Sequence, residues 1–220
     1  MGELDNRRPL KSRGSGWART MAAALAGAGA KPDTISALSV AFAAVGSAML
    51  LWSGAAQGVV RVAALLLAAA CIQLRLLCNL LDGMVAVEHG KGSTAGPIWN
   101  ELPDRFADVM FLASAGYAAS YAGATGGIAA GWLASCAALM TAHVRELGRG
   151  LGFAADFSGP MAKPHRMAAL TLAVAIAAAE PLWGWRGQSL LIGLAVIAAG
   201  AFVTLARRTL TLALQLRERS

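Results

Sequence analysis

Of the twelve acidic residues in this 220-residue chain, five fall within 27 consecutive positions: Asp82, Glu88, Glu101, Asp104 and Asp108. Two asparagines accompany them, Asn100 within the stretch and Asn79 three positions before it. On helices, Asn79 and Asp82 are spaced i, i+3, while Asn100, Asp104 and Asp108 are spaced i, i+4, i+8, so each set lines one face. Carboxylate and amide oxygens facing one another, with no histidine or thiol between them, suit a hard divalent cation such as Mg²⁺, Mn²⁺ or Ca²⁺. A hydrogen-bond network that merely ties two helices together draws on the same residue types. The number of acids and their matched spacing favour the cation site.

The rest of the chain shows what must position these groups. Apolar residues make up 57% of it and charged residues 14%, with a mean hydropathy of +0.56. A soluble domain carries about a quarter charged residues, so a short soluble enzyme is excluded, as are disorder and a collagen-like repeat. Six stretches reach the roughly 20 apolar residues that a membrane helix needs: 34–52, 59–87, 98–121, 126–147, 167–185 and 188–205. The acids lie at the facing ends of the second and third of these, joined by a short connection containing Gly90, Gly92 and Gly96. Both oxygen-bearing faces therefore converge at one end of the bundle. Ionisable groups at membrane depth are costly and mark function. Cys71, Cys78 and Cys136 each sit inside an apolar run and are expected as small core residues, not as a disulfide or metal set.

Lysines and arginines set orientation. Arg7, Arg8, Lys11, Arg13, Arg19 and Lys31 precede the first span; Lys91, Arg145, Arg149, Lys163 and Arg166 fall in two connections on the same side, and Arg207, Arg208, Arg217 and Arg219 in the tail. Only Arg61 and Arg186 are assigned to the other side. Both termini are expected in the cytoplasm, and no cleavable signal peptide is expected ahead of Met21. Trp52, Trp183 and Trp185 fall at outer span ends, where interfacial aromatics collect. In segment 10–25, Trp17, Met21 and Leu25 recur at i, i+4, i+8 near Arg13 and Arg19, as in an amphipathic helix lying on an anionic leaflet. Lys31-Pro32-Asp33-Thr34 reads as a helix start capped by Asp or Thr. The expected architecture is an all-α integral membrane protein: a cytoplasmic N-terminal segment 1–33 with the interfacial helix, a six-helix transmembrane domain 34–208 and a cytoplasmic tail 209–220. The basic excess belongs to this topology, and no nucleic-acid partner is expected.

The stretch from Asn79 to Asp104 resembles the signature of CDP-alcohol phosphotransferases, D-x-x-D-G-x-x-A-R, eight residues, then G-x-x-x-D-x-x-x-D. Asn79 stands at the first Asp, Asp82 at the second, Gly83 at the Gly, Ala86 at the Ala and Val87 at the Arg. Eight residues follow, then Gly96, Asn100 at the third Asp and Asp104 at the fourth; five of the eight fixed positions match. The six spans and basic N-terminal helix are also similar to that family.

The resemblance implies metal-dependent transfer of a phosphatidyl-type group from a CDP-linked lipid to a small polyol or polyol phosphate, with release of CMP. It implies Mg²⁺ or Mn²⁺ held by Asn79, Asp82, Asn100, Asp104 and Asp108, with Asp104 also the base for the acceptor hydroxyl. Asp82, Gly83, Ala86 and Gly96 are the implied nucleotide contacts. A homodimer in a bacterial-type inner membrane is likewise implied. Two amides reduce the quartet's formal charge from −4 to −2. Either one metal binds tightly and a second arrives with the diphosphate, or Glu101 and Asp108 supply the missing charge. Arg105 or Arg75 is a candidate substitute for the arginine absent at Val87, although Arg75, one turn before Asn79, fits equally well a structural bridge to an acid. A second basic group, Arg145, Arg149, Lys163 and Arg166, sits on the same side around a glycine-rich connection that reads as mobile, and is assigned to the anionic part of the acceptor. His89, His143 and His165 share no metal-like spacing, and His143 is expected as a buried polar contact.

Three other readings use the same residues. A degenerate family member would bind CDP-lipid or metal without turnover, as Asn79 and Asn100 suggest. Asn79-Leu-Leu-Asp82 and Asp104-x-x-x-Asp108 also look like the motifs of intramembrane aromatic prenyltransferases, although those lie far apart in longer chains. An ion-coupled transporter fits less well, because the acids sit at a bundle end and not at mid-membrane.

Overall fold

The computed structural model describes residues 15–88, 90, 94 and 96–219, with only the backbone of Pro97 and Asn100. His89, Lys91 and the cations from Arg7 to Arg13 lie outside the described residues. Helices α1 (Gly16–Gly27), α2 (Pro32–Ala55), α3 (Gly58–Glu88), α4 (Gly96–Ala122), α5 (Gly127–Gly150), α6 (Lys163–Ala179) and α7 (Gln188–Arg219) follow one another, with a 3-10 turn at Glu180–Leu182 and no strand among the described residues.

Each expected span coincides with a helix, although the ends differ for local reasons. The second helix begins at Pro32, ahead of the expected cap: Lys31 is the flanking residue and makes no side-chain cap. Proline lacks the N–H that the first turn leaves unused, and Asp33 complements the helix dipole there. The sixth helix stops at Ala179 instead of reaching Trp185. There Pro181 follows Glu180, whose carboxylate turns back to accept the N–H groups of Gly187 and Ser189 at 2.7 Å each. The seventh helix runs on to Arg219, so 209–219 continues the last span as helix.

Among the described residues, four helices, α2, α3, α5 and α7, are long and apolar enough to cross a membrane. The chain is thus built as a multi-pass membrane protein. The other two differ for identifiable reasons. Glu101, Asp104, Arg105 and Asp108, with Pro103, crowd the first half of α4, and α6 has 17 residues. Leu66, Leu67, Leu172, Val196 and Phe202 are exposed around the bundle, a distribution that suits lipid and not water. Cys136 is exposed with them, correcting its expected place in the core; Cys71 and Cys78 are buried.

The helices α3, α2, α4, α5, α7 and α6 close a ring, each packed on the next, and α4 also touches α7. Small residues allow the close crossings. A Cβ added at Gly131 would stand 2.8 Å from the Leu112 carbonyl oxygen and 2.9 Å from Gly116 Cα, so α4 and α5 meet backbone to backbone. The first helix docks on α3 through buried Ala18 and Ala22, with Leu25 packed against the same cluster of Cys78, Leu81, Met84 and Val85. Leu25 therefore faces α3, not the side on which Trp17 and Met21 stand exposed. At the end opposite the acids, Glu180 is fully buried and binds Arg61 at 2.8 Å, clasping the start of α3 to the α6–α7 turn.

Replacing Gly131 with Val is expected to force α4 and α5 apart and cost about 1–3 kcal/mol. Thermal unfolding in detergent measures this, and an unshifted Tm contradicts the backbone-to-backbone crossing.

Candidate functional site

One turn apart on α3, Asn79 and Asp82 share a face with Arg75, one turn earlier. The Asp82 carboxylate is buried and receives the Ser36 hydroxyl of α2 at 2.6 Å and the N–H of Gly83 at 2.5 Å. Because α2 packs along both α3 and α4, those two helices touch over only a short stretch. Their polar side chains bridge the gap. Asn79 Nδ2 donates to Asp104 Oδ1, joining residues 25 apart in sequence. Arg75 has no solvent exposure and reaches α4 three times: the Asp104 carbonyl at 3.0 Å, Asp104 Oδ1 at 3.0 Å and Asp108 Oδ1 at 3.3 Å.

The start of α6 closes this cluster. Lys163 Nζ donates to Asp104 Oδ2, and Arg166 donates to Asp108 Oδ2. As a result, Asp104 faces an amide and two cations, and Asp108 faces two arginines. On the neighbouring side, Glu101 accepts from Arg105 of its own helix and from Arg145 of α5 at 2.6 Å. Arg145 also binds Glu146 at 2.8 Å and lies over the Phe157 ring, 5.3 Å from its centroid. Arg149 binds Glu146. A shallow cavity beside Arg145 is lined by Gly148, Phe153, Asp156, Arg208 and Leu212, one helix away from Asp104.

Several expectations change here. Glu101 and Asp108, the acids that could make up the charge missing at Asn79 and Asn100, are each paired with cations, Glu101 with Arg105 and Arg145 and Asp108 with Arg75 and Arg166. Arg75 bridges to Asp104 and Asp108, Arg105 binds Glu101, and Val87 is exposed. The four basic residues assigned to one acceptor anion divide into two groups: Arg145 and Arg149 on glutamates, Lys163 and Arg166 on the aspartates. The connection between α5 and α6, expected to be mobile, is pinned. Arg208 donates twice to the Ser158 carbonyl and once to that of Thr141, while the Met161 N–H donates to the Thr204 hydroxyl. His143 is exposed, not buried, because it points off α5 away from the ring. Asn100 lies on the backbone of α4, its side chain outside the described residues. Ala86 is half-buried near the end of α3, and Gly96 opens α4. Ser36 went unrecognised in the sequence; its only signal was a hydroxyl in the first turn of a span entering at the same end.

The oxygen donors here are of the kind that hard cations take. Asp82 and Asp104 lie within electrostatic reach of each other, and the Asn79 amide donates to Asp104. No three His, Cys, Asp or Glu side chains among the described residues form a metal-ligand group, so an ion here would also draw on amide oxygens and on oxygens from substrate or water. A single ion completed by oxygens from substrate or water fits the set.

No family model matches the chain, and no curated protein matches it. Solved structures of phosphatidylinositol phosphate synthase (PgsA1) from Mycobacterium tuberculosis share its fold. The form with CDP-DAG bound aligns with a TM-score of 0.73 at 19% identity, over 89% of this chain and 92% of that one. The complex with manganese and citrate gives 0.73 at 19%, over 89% and 88%. The apo form gives 0.70 at 18%, over 87% and 94%.

The ion pairs of α4 carry a stability prediction. Arg75→Met strips Asp104 and Asp108 of their shared buried cation and is expected to cost about 3–5 kcal/mol. Arg166→Met leaves Arg75 on Asp108 and should cost less; equal losses of thermal stability would contradict Arg75 as the shared partner.

Proposed function

We propose that this chain is a CDP-alcohol phosphotransferase that transfers a phosphatidyl-type group from a CDP-linked lipid to a hydroxyl of a small polyol or polyol phosphate, releasing CMP. The observation that carries this reading is the contact of Asn79 with Asp104. It joins the two halves of the signature in a fold shared with an enzyme solved with CDP-DAG bound.

In this reading the acceptor oxygen attacks the phosphorus bearing the lipid, the bond from that phosphorus to the CMP oxygen breaks, and the hydroxyl proton passes to Asp104. Arg75, Lys163 and Asn79 hold the Asp104 carboxylate in one orientation. Ser36 and the Gly83 N–H do the same for Asp82. Asp82, Asp104 and the Asn79 amide, with Asn100 on the same face of α4, would hold the Mg²⁺ or Mn²⁺. Such an ion, when bound, neutralises charge on the diphosphate and the leaving CMP. Gly83, Ala86 and Gly96 leave room for the nucleotide. When the acceptor is a polyol phosphate, Arg145, which lines the cavity, and Arg149 on the same helix are its partners, exchanging Glu101 and Glu146 for the phosphate.

All six helices α2 to α7 cross the membrane in this reading. The fourth does so with its charges paired inside the bundle. The sixth, at about 26 Å for 17 residues, is completed by the Glu180–Leu182 turn against a hydrocarbon core of about 30 Å. The first helix lies at the interface with Trp17 and Met21 toward lipid, and the site faces the cytoplasm with both termini. A homodimer in a bacterial-type inner membrane accompanies the same reading.

Purified protein incubated with CDP-diacylglycerol, Mg²⁺ or Mn²⁺ and a panel of polyols and polyol phosphates is expected to release CMP. Asp104→Asn should abolish that release while the unfolding transition persists. Full turnover in Asp104→Asn removes Asp104 as the base, and no CMP with any acceptor favours a non-catalytic CDP-lipid binder.

A further inference from the structure

The aspartates at the meeting of α3, α4 and α6 are already balanced by the chain. Asp82, Asp104 and Asp108 are three negative charges, and Arg75, Lys163 and Arg166 are three positive ones facing them. A diphosphate brings two further negative charges, which one divalent ion neutralises; a second ion would leave a buried excess of positive charge, which is unfavourable in a low-dielectric bundle.

The three cations are not equivalent. Arg75 and Arg166 are sealed between helices, with side chains 0% and 3% exposed. Lys163 and its partner Asp104 are 14% and 17% exposed, on the open side of the cluster. Lys163 is also the first residue of α6 and is followed by Pro164, whose ring fixes the helix entry, so the backbone delivers the ammonium to Asp104 Oδ2. An ammonium is a compact point charge, unlike a planar guanidinium committed to two oxygens.

We propose that the Lys163 ammonium is a resident cation of this site, holding Asp104 in the place of one divalent ion, so that the chain binds a single divalent ion. This rests on the reading of the cluster as the diphosphate site of the transferase. Lys163 and a divalent ion then compete for the open oxygen of Asp104. Asn79 belongs with this arrangement, because an amide donates to Asp104 where a second carboxylate would repel it.

The test counts Mn²⁺ bound to the full-length protein in detergent, with and without CDP-diacylglycerol, from the electron paramagnetic resonance signal of the free ion. One Mn²⁺ per chain is expected for the wild type and for Lys163→Arg. Lys163→Gln is expected to tighten Mn²⁺ binding about tenfold, and Lys163→Gln with Asn79→Asp to bind a second ion. Asn79→Asp alone, with Lys163 in place, should still bind one, which keeps the proposal testable if the Lys163 variants fail to fold. Two ions on the wild type or on Asn79→Asp overturn the proposal, as does no binding, or Lys163→Gln binding Mn²⁺ like the wild type. The count is read without turnover, so absence of CMP release would count against the transferase reading and leave this result standing.

Discussion

A guanidinium with no access to solvent, Arg75, holds the middle of this bundle. It reaches from α3 to a carbonyl and two carboxylates of α4, across a gap that α2 keeps from closing along the helix backbones. An unpaired arginine inside an apolar bundle is costly enough that α4 must bring its acids to meet it. Once α4 is so placed, Asp104 lies within reach of Asn79 from one side and Lys163 from the other, and Asp108 within reach of Arg166. The candidate site is therefore the open edge of a structural ion network, and the Asp104 carboxylate is positioned by groups that also hold the helices together.

The two ends of the bundle handle buried charge differently. At the far end, Glu180 saturates itself with Arg61 and two backbone N–H groups, leaving a closed clasp. At the site end, charge is distributed over several helices, and the Lys163–Asp104 pair stays partly exposed. A closed clasp gives rigidity alone. An open network gives rigidity with one face able to exchange partners. The pinned connection before α6 supports this by fixing where Lys163 and Arg166 enter.

Much of the fold was legible because a lipid environment imposes a simple code. Every long apolar run became a helix, and the acids at the ends of two adjacent runs had to converge once the short connection between them was recognised. The spacing of Asn79, Asp82, Asn100 and Asp104 carried the family resemblance, and the shared fold agrees with it. Errors fell where identity depends on three-dimensional neighbours. Leu25 and His143 each took a side of a helix that periodicity alone left undetermined, and Cys136 turned outward for the same reason.

Charge shows the division most plainly. Residue types and spacing were enough to establish which helices carry ions, at which end of the bundle, and that two of four signature acids are amides. Which cation neutralises which acid was decided only by tertiary packing. Lys163 and Arg166 look in sequence like any positive flank of a membrane helix, yet they lie 59 and 58 positions from the aspartates they bind. An ion pair depends on distance in space, and sequence separation fixes that distance only within a single helix.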